Sequence, residues 1–252
     1  MIIRKNRSEI ETMAKAGSVV AGTLQLLERH AQAGVTTAEL DELADEFIRS
    51  QGGRPTFKGY KGYPAATCLS PNGMVVHGIP GRTRLGRGDI LSVDVGVTLG
   101  GFVADSAWTF PIGAISPEAQ RLLDTCRAAL FAGIEQAVVG NAISDISRAV
   151  QDVTESAGFS VIRSLVGHGV GRSMHEDPQV PNFVSKHRGP ELQEGMTLAI
   201  EPMITVGPPE VYVHDDDWSI STTDGSLAAH FEHTVAVTES EPEILSLPPE
   251  RG

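Results

Sequence analysis

The chain has 252 residues, of which 40% are apolar and 21% charged, with a formal net charge of −12. That balance describes a soluble globular protein long enough to bury a sizeable core. A net anion of this size argues against duplex nucleic acid or an anionic membrane surface as principal partner, because both recruit Lys and Arg. Cys68 and Cys126, the two cysteines, cannot build a disulfide framework and point to a reducing compartment. The N-terminal Met-Ile-Ile-Arg-Lys-Asn-Arg-Ser is basic, but no apolar stretch of a secretory signal follows it. Segment 196–206, the best membrane candidate, is broken by Glu201 and Pro202 and falls short of the roughly 20 apolar residues a membrane helix needs. A cytoplasmic protein is expected.

In chain order, Ser8 and Glu11 have capping-box spacing. Behind them Ile10, Met13, Gly17, Val20, Leu24 and Leu27 recur at helical spacing, with Gly34 as the stop. Thr36 and Glu39 form a second capping box, followed by Leu40, Leu43, Phe47 and Ile48 and ended by Gly52-Gly53. Ser116-Pro117 opens a third helix with Pro at its first position. Its stripe is Leu122, Cys126, Leu130, Ile134 and Val138, closed at Gly140. A shorter amphipathic stretch carries Ile146, Val150 and Val153 and closes at Gly158. Gly34 and Gly140, Leu40 and Ile146, Phe47 and Val153, and Gly52 and Gly158 are each 106 residues apart. The order long helix, short helix, strands thus occurs twice. It reads as one α+β domain of two related halves, about 1–110 and 111–240, with a 241–252 tail; chance correspondence is the competing explanation. Segment 239–252, rich in Pro and acid, is expected to be loose in part.

Strands are expected over 89–98 and 102–110, and again over 195–205 and 227–238, from alternating apolar residues. In the first pair Leu91, Val93, Val95 and Val97 share one face and Asp94 takes the other. A turn centred on Leu99-Gly100 sets Asp94 directly opposite Asp105, with Cβ atoms about 5 Å apart. Two like charges there repel, and a cation between them removes the repulsion; a single solvated strand Asp is the plainer alternative. Gly167-His168-Gly169-Val170-Gly171 frames an imidazole, and Glu201 and Glu232 each lie in near-apolar runs. Glu is rarely buried without a partner. Four oxygen donors and one nitrogen suit two divalent ions sharing bridging carboxylates, a recurrent hydrolytic device.

In that order and at those spacings, Asp94, Asp105, His168, Glu201 and Glu232 resemble the five metal ligands of methionine aminopeptidases, of peptidase family M24. His77-Gly78-Ile79-Pro80, Gly167-His168-Gly169-Val170-Gly171-Arg172, His175-Glu176-Asp177-Pro178-Gln179-Val180 and Glu201-Pro202 match the family's flanking motifs. The likeness runs from about residue 3 to 238. It implies the pita-bread (creatinase/aminopeptidase) fold, two pseudo-symmetric halves around an antiparallel sheet. With no N-terminal zinc-binding extension and only 30 residues between Glu201 and Glu232, the chain resembles the minimal bacterial-type type I enzymes.

The resemblance implies removal of N-terminal methionine from nascent polypeptides with a small second residue. Asp94 would hold one ion, Asp105 and Glu232 would bridge both, and His168 and Glu201 would bind the other. Water activated between the ions attacks the first peptide bond. Glu201 is the expected proton acceptor and shuttle, His175 the donor to the developing oxyanion, and His77 the partner of the scissile amide nitrogen or of the second residue's backbone, where it would help proton transfer. Family positions for the methionine pocket fall on Phe57, Tyr60, Tyr63, Cys68, Met174 and Trp218, with His77 at the edge. Phe57 stands where many relatives have Cys, and Met174 where Phe is common. Cobalt, manganese, iron and zinc all suit the ligand set. Among the remaining histidines, His30, His187 and His214 are expected at the surface and His233 facing away from the metals, while the role of His230 is open.

Expected partners are nascent peptide N-termini and, through Arg82, Arg84 and Arg87, at most a weak transient ribosome contact. No nucleic acid is expected as a direct partner, nor a membrane, and the state is a monomer. Two other readings compete. A proline-directed exopeptidase of the same fold usually carries an added N-terminal domain and lacks the Tyr60 to Cys68 segment. A binding module that has lost catalysis usually lacks some of the five ligands.

Overall fold

Helices begin where side chains cap them. In the computed structural model, which describes residues 1–247, α1 spans Arg7–His30, α2 Thr37–Ser50, α3 Pro117–Glu135 and α4 Ile143–Ser156. The α1 cap is Asn6, whose side chain accepts from the Glu9 N–H while Glu9 reaches back to the Asn6 N–H. The capping box therefore lies two residues before the expected Ser8 and Glu11; an Asn side chain caps as well as Ser, and Ser8 instead donates to Asn6 Oδ1 at 2.8 Å. Thr36 with Glu39 and Ser116 with Pro117 cap α2 and α3 as anticipated. Helix α1 ends four residues before Gly34, whose φ of 95° shapes the turn that follows. Helix α3 likewise stops at Glu135, and Val138 lies beyond it in a bridge to Thr238.

The 106-residue offset extends to the elements themselves. Both bounds of α2 map onto those of α4, and the short strand Arg54–Pro55 maps onto Ser160–Val161. Gly34 and Gly140, and Gly52 and Gly158, all have positive φ. Both helix pairs bury apolar stripes against strands. Val20, Leu24 and Leu27 of α1 with Leu40, Ala44 and Ile48 of α2 pack on Leu91, Val93, Val95 and Val97. Leu122, Cys126 and Leu130 of α3 with Ile146 of α4 pack on Leu198, Ile200 and Val235. Each such side chain taken from water contributes about 1.5–3 kcal/mol.

Strand pairing is antiparallel in every named ladder among the described residues. Ile90–Leu99 and Phe102–Pro111 form a long hairpin, flanked by Cys68–Pro71 and Arg54–Pro55. The hairpin turns at Gly100-Gly101, not Leu99-Gly100: both glycines have positive φ, 59° and 80°, as a two-residue turn of this hand requires. Asp94 consequently pairs with Ala107 and Asp105 with Gly96. The two carboxylates are diagonal neighbours, not direct partners, yet remain on one face because the register moves by an even step.

The expected strands 195–205 and 227–238 are each interrupted. Thr197–Ile200 and His233–Ala236 belong to a five-stranded sheet with Gly167–Gly169, Glu176–Val180 and Glu243–Ile244, whereas Met203–Thr205 and Ala228–His230 join Ser160–Val161 in another. The breaks fall at Glu201-Pro202 and Phe231-Glu232. Proline cannot donate to a ladder, and the chain changes sheets there. Of the tail expected to be loose, Glu243–Ile244 pairs with His233–Ala236, and Leu245 and Ser246 are buried; the part of that expectation on 248–252 lies outside the described residues.

Candidate metal centre and its pocket

The site forms along a seam. The outer hairpin strand meets segment 228–236 through side-chain hydroxyls: Thr109 Oγ1 donates to His230 O and accepts from its N–H, Thr234 Oγ1 does the same with Asp105, and Ser106 Oγ donates to Glu232 O at 2.5 Å. Glu232 N–H donates to Ala107 O at 2.8 Å. Residues 105 and 232 are thereby locked side by side although 127 positions separate them in the chain.

His168 is placed by its glycines. A Cβ on residue 167 would lie 2.4 Å from Ala199 O, and one on residue 169 would lie 2.2 Å from Asp177 O. Only glycine lets the Gly167–Gly169 strand fit between its two neighbours. His168 Nδ1 bonds to Gly169 O at 2.9 Å, which leaves Nε2 toward the acids. One ligand atom each of Asp105, His168 and Glu232 lie within 4.8 Å of one another, and Glu201 Oε1 is 3.4 Å from His168 Nε2.

Burial dominates the electrostatics. It raises Asp94 to about 7 and holds Asp105, Glu201 and Glu232 well above ordinary carboxyl values, with neighbouring carboxylates adding to the rise at Asp105 and Glu232. Burial also pushes His168 down to about 3 and His77 to about 4, so both imidazoles are neutral near pH 7. Asp94 Oδ1, Asp105 Oδ1 and Glu232 Oε1 are buried with no hydrogen-bond partner among the described residues. Such orphaned oxygens are costly, and an acid-rich, imidazole-bearing cluster of this kind fits divalent cations.

One cavity of about 340 Å³ brings together every residue expected at the site: Phe57, Tyr60, Tyr63, Cys68, His77, Asp94, Asp105, His168, Met174, His175, Glu201, Trp218 and Glu232. Its apolar end is aromatic. The Tyr63 ring meets Phe57 edge-on at 6.4 Å and Trp218 at 5.1 Å between centroids. Phe57 lies against the hairpin where residue 96 is Gly; a Cβ there would come 2.7 Å from the ring. Cys68 pairs with Asp94 across the ladder. Burial, then the adjacent Asp94 charge, hold its thiol well above the ordinary range. His77 has φ 58°, a strained backbone that persists where surroundings over-determine it. His175 packs on the His168 ring, centroids 4.3 Å apart, and burial followed by the Lys61 charge lowers its pKa.

Other lining residues escaped the sequence reading. Met203 lies two residues after Glu201, a spacing that signals a shared face, whereas Val76 and segment 164–166 carry no such signal. His230, left open, also lines the cavity. It is buried, its Nε2 is 3.6 Å from Glu201 Oε2, and neither ring nitrogen has a hydrogen-bond partner among the described residues. His233 does face the other way, bonding Ser246 Oγ at 2.7 Å beside Trp108. His30 and His187 are exposed, but His214, expected at the surface, is half-buried and bonds Ser221 Oγ at 2.7 Å. Arg82, Arg84 and Arg87 are exposed, with Arg84 tied to Gly34 O. No helix among the described residues is long and apolar enough to cross a membrane.

Comparison with known proteins adds the chemistry. The profile of metallopeptidase family M24 matches residues 11–239. A methionine aminopeptidase of Clostridium acetobutylicum is 52% identical over 98% of this chain and 99% of its own length. The crystal structure of methionine aminopeptidase from Thermotoga maritima superposes with a TM-score of 0.96 at 44% identity, over 98% of this chain and 100% of that one. Prolidase from Pyrococcus furiosus shares the fold at a TM-score of 0.79 and 22% identity, with 99% of this chain covering 66% of that one.

Proposed function

The chain belongs to metallopeptidase family M24 and has its pita-bread fold, and from that premise we propose how its residues carry out the reaction. It is a metal-dependent aminopeptidase that removes N-terminal methionine. We infer that Asp94, Asp105, His168, Glu201 and Glu232 hold two divalent ions, drawn from cobalt, manganese, iron or zinc. The observation that carries this is the convergence of those five side chains in one cavity, with three buried carboxylate oxygens that have no hydrogen-bond partner among the described residues. When bound, such ions lower the pKa of water and polarise a carbonyl.

The remaining roles belong to the chain itself. Glu201, with His168 on one oxygen and His230 near the other, is placed to accept a proton and pass it to the leaving amine. His175 donates to the oxygen of the scissile carbonyl as charge develops there. His77, neutral and edge-on to Trp218 at 6.4 Å, bonds the backbone of the first peptide link. Phe57, Tyr60, Tyr63, Cys68, Met174 and Trp218 form a soft apolar wall for the thioether. A preference for a small second residue, which the family resemblance implies, completes this reading. We read residues 1–252 as a single catalytic domain of two halves. It acts as a monomer in the cytoplasm on nascent chains, with no nucleic acid or membrane partner and only transient ribosome contact.

Release of methionine from Met-Ala-Ser, compared with an Xaa-Pro peptide, tests the assignment. Turnover of the first alone, lost on chelation and restored by added metal, is expected; hydrolysis of the Xaa-Pro peptide instead would assign the site to a proline-directed enzyme. His175→Ala should lower kcat about 10²–10³-fold with little change in KM, because its bond strengthens only in the transition state. An unchanged kcat would discard that role.

A further inference from the structure

Tyr60 was assigned above only to the pocket wall. Its hydroxyl, however, lies 2.8 Å from His175 Nδ1, and the two rings stack with centroids 5.5 Å apart and planes at 25°. We propose that Tyr60 is a positioning residue which fixes the tautomer of His175 and so decides which ring nitrogen presents a proton to the substrate. This rests on the reading of His175 as the oxyanion donor.

A neutral imidazole carries one donor and one acceptor nitrogen, and the bond made by one nitrogen sets the state of the other. Phenol is a stronger acid than an imidazole N–H, and an imidazole nitrogen is a stronger base than a phenol oxygen. The shared proton therefore stays on Tyr60, Nδ1 accepts, and the ring's own proton sits on Nε2. With Nδ1 engaged, Nε2 is the nitrogen left to serve the cavity that His175 lines. Without the hydroxyl the two tautomers compete, and one of them turns a bare lone pair toward a developing negative charge.

The loop is built to hold that hydroxyl still. Gly59, Lys61 and Gly62 all have positive φ, and the turn closes on itself through Tyr60 N–H to Phe57 O, Gly59 N–H to Tyr63 O and Tyr63 N–H to Tyr60 O, at 2.8–2.9 Å. Tyr63 then anchors the turn, its hydroxyl shared between Thr67 O and Gly78 O at 3.0 Å each. On the other side, Glu176 beside His175 accepts from the Ser173 N–H and from the buried Lys5 ammonium. Both partners of the Tyr60–His175 bond are thus fixed independently of substrate.

Tyr60→Phe removes the hydroxyl while keeping the ring that stacks on His175 and faces the pocket. In zinc-loaded protein, NMR of the histidine ring nitrogens, assigned with His175→Gln, should show His175 protonated at Nε2 alone in the natural chain. In Tyr60→Phe the signals should move toward a mixture of tautomers. With Met-Ala-Ser the same substitution should lower kcat about tenfold and leave KM within about twofold. It should cost nothing further in a His175→Ala background, because the two act as one unit. Unchanged ring-nitrogen signals together with an unchanged kcat would overturn the proposal, and so would a raised KM alone, which marks a pocket wall and nothing more. If His175→Ala itself leaves kcat intact, the oxyanion reading fails, while the ring-nitrogen spectrum of Tyr60→Phe still decides for or against the tautomer.

Discussion

Asp105 shows what a single side chain is asked to do. It is 2% exposed, one of its oxygens has no donor among the described residues, and burial holds its carboxyl far above the ordinary range. A folding argument alone would replace it. Asp105→Asn should therefore lower activity by at least about 10²-fold while leaving the metal-free protein as stable as the natural chain or more so. Parallel kinetic assays and thermal melts in chelator check this; full activity, or unfolding in step with the activity loss, would remove Asp105 from the metal centre. The residue types at this site were readable in the sequence because acids in apolar strands are anomalous. His230 was not, because a lone imidazole two positions from Glu232 has no meaning until its neighbours are known.

Between elements, the most specific tie is the ion pair of Lys5 with Glu176, 2.6 Å long and almost sealed, with side chains 2% and 6% exposed. It joins the segment before α1 to the strand Glu176–Val180, which begins directly after His175. Breaking one side of a buried pair leaves an uncompensated charge, so Lys5→Ala should cost about 3–5 kcal/mol. The double change Lys5→Met with Glu176→Gln should cost clearly less. Urea unfolding measures both, and equal losses would show that the pair contributes only packing. Nothing in the sequence pairs residue 5 with residue 176. The helices, by contrast, were legible to within a few residues, because stripes and caps are local. The hairpin register was missed by one position at the turn, since Leu99-Gly100 and Gly100-Gly101 both look like turns and only the pairing of the whole strands separates them.

At the scale of the molecule, a nest of buried carboxyls links folding to pH and metal. Burial raises Asp94 from an ordinary 3.8 to about 7 in the fold and holds Asp105, Glu201 and Glu232 well above the ordinary carboxyl range. A carboxyl raised in the folded state contributes its stability below the unfolded pKa and loses it as pH climbs through the folded one. Below about pH 6.5 the buried imidazoles, His168 and His77 among them, oppose this, because they charge in the unfolded chain and stay neutral in the fold. Above that value they are neutral in both states, so without metal the melting temperature should fall as pH rises from about 6.5 to about 8. Acids held low, such as Glu39 hydrogen-bonded to Thr36, weaken the fold only below that window. Divalent ions compete with the same protons, so saturating manganese or zinc should flatten or reverse the slope. Melts across that range in chelator and in metal test it, and a metal-free protein that grows more stable from about pH 6.5 to about pH 8 would contradict it.

By itself, the sequence determined the helices and the repeated order of elements, because both are written in local spacing, and it singled out five candidate donors as residue types out of place; the pocket residues came through the family resemblance. Tertiary structure alone decided where strands 195–205 and 227–238 break, how Asp94 and Asp105 lie relative to each other, and that Tyr60 holds His175. Those are outcomes of two halves meeting at a seam, where hydroxyls from one strand lock onto the backbone of another more than a hundred residues away. Contacts between distant parts of a chain depend on how whole surfaces fit, and no short stretch of sequence encodes that fit.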